Sequence, residues 1–143
     1  MNAKAYLSEI RTYKKAMRSL EMKCEELRVK ASGVGAIVYD KDKVQVSPAN
    51  MMENIVAELV EVEERYGRTI VKYFEAVRLR EEQIANMDNP LHSEILRMRY
   101  IDDGKDGNAP RLEEIAYRTN RSFSSVAHLH GDALQAFKKK YLR

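Results

Sequence analysis

The sequence predicts an all-α protein: a long antiparallel helical hairpin of coiled-coil character, followed by a three-helix domain that contains a helix-turn-helix. Three observations carry that prediction. Apolar residues recur at separations of three and four through most of the 143 residues, which is the period of one helix face. Glycine and proline number only 6 and 3, too few for the turns of a β-sandwich. A charged fraction of 33% alongside 44% hydrophobic residues fits a helix-rich globular chain rather than a disordered one.

From the N-terminus, Tyr6, Ile10, Tyr13, Met17, Leu20, Cys24 and Leu27 alternate spacings of four and three between Ala3 and Ala31. That is a seven-residue repeat, which favours left-handed coiled-coil packing. Ser32, Gly33 and Gly35 then break the pattern and are expected to end the helix, leaving a connecting loop over 32–49 with a short strand at Ala36 to Tyr39. Ser47-Pro48 is a helix start signal. Beyond it Met52, Ile55, Leu59, Val62, Tyr66, Thr69, Tyr73 and Ala76 repeat at three and four, and Ile70, Phe74, Val77 and Ile84 widen the stripe as far as about Asn86. Gly67 is a tolerable weak spot. Two such helices cannot bury their faces alone, so they should pack together within one chain, the arrangement favoured here, or pair between the chains of a homodimer.

Met87-Asp88-Asn89-Pro90 stops the long helix and restarts the chain, with Asn89 or Asp88 as the cap, which divides the sequence into 1–88 and 89–143. Leu91, Ile95, Met98 and Ile101 share a face of the next helix, with Arg97 and Arg99 off it. The segment from Asp102 to Glu113 carries oxygen ligands at some positions of a calcium loop, but Gly104 stands at the third and Pro110 near the end, so it reads as an inter-helix connection. Leu112, Ile115 and Ala116 define a short helix whose first turn holds Glu113 and Glu114, where negative charge suits the helix dipole. Thr119, Asn120 and Arg121 interrupt the period, and Ser122 or Ser124 can cap a last helix. Its inner face is Val126, Leu129, Ala133, Leu134 and Phe137, and it runs to about Tyr141.

The formal charge of +3 hides a division along the chain. Residues 1–30 carry 8 basic and 4 acidic groups, residues 31–110 carry 10 and 15, and residues 111–143 carry 7 and 3. A basic end on a helix-turn-helix fits double-stranded DNA as partner. The candidate contacts are Arg118 and Arg121 around the turn, Ser122, Ser124, Ser125 and His128 on the exposed start of the last helix, Gln135 further along, and Lys138, Lys139, Lys140 and Arg143 against phosphates. Tyr117 is read either as core or as a backbone contact through its hydroxyl.

Several function classes are set aside. No glycine-rich phosphate loop, nucleophile elbow or paired metal motif occurs, so no enzyme and no cofactor is expected. His128 and His130 are two apart and face different ways, which argues against a shared metal. With Cys24 the only cysteine no internal disulfide can form, and no stretch is apolar enough for a signal or a membrane span, so a cytoplasmic setting without membrane contact is expected.

The run HSEILRMRYIDDG, then LEEIAYRTNRSFSSVAHLHGDAL, then a basic tail, resembles region 4 of the bacterial primary sigma factors. The residues that carry the likeness are Met98-Arg99-Tyr100, Glu114-Ile115-Ala116, Val126 and Ala133-Leu134, over about the last third of the chain. With the helical N-terminal part added, the whole resembles small phage-encoded transcriptional regulators of the RinA and ArpU kind. The resemblance implies a phage or prophage regulator that binds duplex DNA and contacts RNA polymerase. It departs from the sigma pattern at the start of the recognition helix, where Ser124 and Ser125 stand in place of Arg and Glu, so direct base readout should be modest. Two rivals fit the same elements: a DNA-packaging adaptor like the small terminase subunit, and a protein-interaction module that binds no DNA.

Overall fold

A computed structural model describes residues 2–37, 48–104 and 108–142. Over those residues the chain is all-helical and contains no strand: α1 Ala3–Ile37, α2 Pro48–Ala85, α3 Pro90–Tyr100, α4 Leu112–Thr119 and α5 Phe123–Tyr141. The expected loop over 32–49 is narrower than its sequence suggests. α1 continues through Ser32 and Gly33 to Ile37, so Ala36 and Ile37, expected in a strand, are helical, while Val38 and Tyr39 lie outside the described residues. The physical reason is cooperativity. A mid-helix glycine costs about 1 kcal/mol against alanine, which many preceding turns tolerate, and ending a helix at glycine requires the left-handed conformation, which Gly33 does not adopt. The Ser32 hydroxyl donates back to the Arg28 carbonyl at 3.1 Å, inside the helix.

The residues form two compact units, 1–12 with 73–143, and 13–72, whose division falls within the long helices. In the first unit the ends of α1 and α2 join the core of the three shorter helices. Ala3 and Leu7 from α1, Ile84 from α2 and Met87 just beyond it share a buried cluster with Ile95, Leu96, Tyr100, Ile115, Val126 and Phe137. Leu7, Leu96, Val126 and Phe137 are sealed from solvent, and fully burying a side chain of this size contributes about 1.5–3 kcal/mol. Phe74, expected on the apolar stripe of α2, is instead 62% exposed.

A buried cation organises this unit. Arg80 is 5% exposed, and its guanidinium lies 4.0 Å over the Tyr6 ring. It donates to the Tyr6 carbonyl at 3.0 Å, to the Ala76 carbonyl at 3.3 Å and to Glu9 at 2.7 Å, so its charge is both paired and hydrogen-bonded. The Tyr6 hydroxyl donates to Gln83 at 2.8 Å, and Tyr141 donates to the Gln83 carbonyl at 2.9 Å. Because Tyr6 meets Gln83 and Glu9 meets Arg80, α1 and α2 run in opposite directions within this unit. Arg11 ties α1 to Asp103 at 3.1 Å and to the Asp102 carbonyl.

The second unit has a smaller core of Cys24, Leu27 and Val62, with Leu20 and Leu59 packed on it. Lys23 reaches Glu58 at 3.6 Å and Arg28 reaches Glu63 at 3.1 Å at its surface, pairs of the kind that each contribute at most about 1 kcal/mol.

Arg80→Ala removes a cation that three acceptors and one ring surround, and is expected to destabilise the protein by about 2–3 kcal/mol, moderated because the Glu9 side chain is 37% exposed. Arg80→Lys keeps the charge but not the fork and should recover only part of the loss. Chemical denaturation of the three proteins checks both.

Candidate nucleic-acid interface

The three short helices are joined by local signals. Asn89 caps α3, its side-chain oxygen accepting from the Leu91 amide at 3.0 Å, and Pro90 occupies the first turn, where no amide is needed. Ser93 donates to the Ile84 carbonyl at 2.7 Å, which seals the end of α2 against α3. After the connection, Arg99 holds the Pro110 carbonyl at 2.6 Å.

Asn120 ends α4 in the left-handed conformation, with φ 54 and ψ 44, the one non-glycine residue with positive φ among those described. Its amide donates to the Tyr117 carbonyl at 3.3 Å and that of Arg121 to the Ala116 carbonyl at 3.0 Å. Those two bonds are the Schellman closure, for which asparagine is the usual substitute for glycine. Ser122 then caps α5 by accepting from the Ser125 amide at 3.1 Å. Asn120, Arg121 and Ser122 are therefore the whole turn, and Ser122, not Ser124, is the cap.

α5 buries Val126, Ala133 and Phe137 against α3 and α4, which bury Ile95, Leu96, Tyr100, Ile115 and Ala116. On the opposite side Ser124, His128, Gly131, Gln135 and Lys138 follow one another at steps of three and four, and all are exposed. Ser124, His128, Gln135 and Lys138 are the candidate contacts that helical spacing brings to one face. Arg121 and Lys139 are exposed beside it, whereas Ser125 is half-buried at its edge.

Two nominated cations are otherwise engaged. Arg118 pairs with Glu114 one turn earlier at 2.9 Å, and Lys140 bonds the Asn86 carbonyl and, at 3.1 Å, Asp88. Arg143 lies outside the described residues. Tyr117, left between core and surface by the sequence, is 86% exposed, and Phe123 at the start of α5 is 51% exposed. Sequence periodicity missed Leu96 and Tyr100, which fall beside the stripe it identified on α3 and are buried.

The back of α5 carries a titratable contact. His130 Nε2 and the Tyr100 hydroxyl share a hydrogen bond of 2.9 Å, and the rings stack at 5.7 Å. Burial, with the Arg99 and Lys4 charges adding to it, holds the His130 imidazole below its ordinary value of 6.5. Burial likewise raises the Tyr100 phenol, against the pull of Arg99. The neutral imidazole can accept a hydrogen bond from the phenol hydroxyl at Nε2.

Among the described residues no three His, Cys, Asp or Glu side chains gather to hold a metal ion, and no helix is long and apolar enough to cross a membrane. Comparison with known proteins finds no matching family model, no matching curated protein and no matching solved structure.

Two outcomes follow from α5 itself. Because the folded His130 value is depressed, the unfolded chain takes up that proton first, so the stability contributed by neutral His130 is present above pH 6.5 and is lost as the pH falls below it. Thermal melts from pH ~7 to ~5 should show a steeper loss for the native protein than for His130→Gln. A Cβ at Gly131 would meet nothing within 4 Å, so Gly131→Ala should stabilise the protein by about 0.5–1 kcal/mol, read from its denaturation midpoint.

Proposed function

We propose that the chain is a DNA-binding transcriptional regulator, with α4 and α5 as a helix-turn-helix supported by α3, and α1 and α2 as a helical hairpin. α5 is the recognition helix and enters the major groove with its N-terminal half. The single observation that carries the reading is the exposed face Ser124, His128, Gln135 and Lys138 on a helix whose other side is locked into a core. Ser124 and His128 meet base edges, and Arg121, Lys138 and Lys139 meet phosphates. With no arginine on that face for bidentate guanine readout, most of the affinity is electrostatic. The resemblance to phage-encoded regulators of the RinA and ArpU kind extends the proposal to a phage or prophage regulator that contacts RNA polymerase, and the lone Cys24 suits a cytoplasmic setting.

A second reading, a protein-interaction module without DNA binding, is favoured by the exposed Tyr117 and Phe123 rings, since large aromatic side chains are enriched in protein interfaces.

Fluorescence anisotropy with a mixed-sequence duplex separates the two. Counter-ion release from about three phosphate contacts weakens binding roughly 40-fold between ~50 and ~200 mM salt. Lys138→Glu with Lys139→Glu, both on exposed positions, should remove binding while the helical circular dichroism stays unchanged. No binding at the lower salt concentration rejects the regulator and leaves the protein-interaction reading.

A further inference from the structure

α2 has a second apolar stripe that the described residues leave uncovered. Val56, Val60 and Val71 are 47%, 49% and 55% exposed. With Gly67 they lie four, seven and four residues apart, which at 3.6 residues per turn places them within roughly 60° of arc. The buried side of the same stretch is different: Val62 is in the core of this unit and Leu59 packs on it. Single exposed valines are ordinary, but a line of them at one helical phase is not. Gly67 adds to the pattern. A mid-helix glycine is costly, and a Cβ there would meet nothing within 4 Å, so the packing of the described residues does not require its absence.

The charges along the helix say what covers the stripe. Glu53, Glu58, Glu61, Glu63 and Glu64 come first with no basic residue among them, and Arg65, Arg68 and Lys72 follow with no acidic one. A parallel copy would set carboxylates against carboxylates. An antiparallel copy sets the acidic half of each helix against the basic half of the other, and the symmetry that does so is a two-fold axis.

We propose that α2 is the self-association surface of this protein, pairing antiparallel with α2 of a second copy. The two-fold axis passes between Glu63 and Glu64, so the Glu63 and Glu64 carboxylates of both copies come together at the centre, and the complementary charges, Glu58 and Glu61 against Arg65 and Arg68 of the second copy, lie on either side of it. Val56 then packs on Val71 of the second copy, and Val60 lies over Gly67 of the second copy, where the missing Cβ lets the helices approach. Arg68 of the second copy lies about 7.5 Å from Glu64 along the helix axis, and Lys23 and Arg28 keep Glu58 and Glu63 paired within each chain.

The test needs no DNA, so its outcome is independent of the regulator reading. In a Cys24→Ser background, which removes the native thiol, single variants Val56→Cys and Val71→Cys are oxidised with copper phenanthroline separately and as an equimolar mixture. Positions 56 and 71 are about 22 Å apart along the helix, so neither variant can bridge to itself in this register. The expected result is a covalent dimer from the mixture and none from either variant alone. Sedimentation equilibrium of the native chain should give a dimer mass, and Val60→Glu with Val71→Glu should return it to the monomer. A monomer at every concentration, a ring of more than two chains, or each cysteine variant bridging to itself would overturn the proposal.

Discussion

The unit that contains α3, α4 and α5 depends on one buried guanidinium. Arg80 lies under the Tyr6 ring, and Tyr6 in turn packs on Phe137 of α5 with ring centroids 5.8 Å apart. Phe137 is sealed from solvent and meets Tyr141 at 4.9 Å. A charge inside a protein is tolerable only when paired and hydrogen-bonded, and Arg80 meets that condition by fixing α1 against α2 at one height. The α1 and α2 ends thereby become a wall of the core that holds α5.

The geometry of α5 is set by short-range chemistry. Asn120 can take the left-handed conformation because its short polar side chain tolerates it better than a branched one would, and the two amide bonds that follow close α4 within one residue. Ser122 then begins α5 at once. A turn this short leaves little freedom in the angle between the helices, and the buried faces of Ile115 and Val126 remove most of what is left. The proposed DNA-facing residues stand on a helix held from behind, which is what positioning against a groove requires.

The long helices carry a different division of labour. One face of α2 supplies Val62 to the small core of the second unit, while another keeps valines in solvent. Self-pairing of that outer face, as proposed, would bring two copies of α5 into one particle. For the proposed DNA-binding module such a pair would offset weak base readout, because the second engagement would be intramolecular.

Much of this fold was legible in the sequence, and the reason is that helices are local. The starts of α2 and α3 and the ends of α4 and α5 follow from residues within a few positions of each site, so periodicity, Pro48, Asn89 and Asn120 place them, whereas the cap of α5 stays open between Ser122 and Ser124 until the structure shows Ser122. The exposed row on α5 was legible for the same reason, since a face is a matter of spacing. Where a local signal is weak against cooperativity, as at Ser32 and Gly33, it misled, and α1 runs on. What only the tertiary structure decided is which helix surfaces meet. That Leu96 and Tyr100 are core, that Phe74 is not, that Arg80 is buried under Tyr6, and that Lys140 is bound to Asp88 all depend on partners distant in sequence. Burial is a property of the pair of surfaces, and a single chain segment does not carry it.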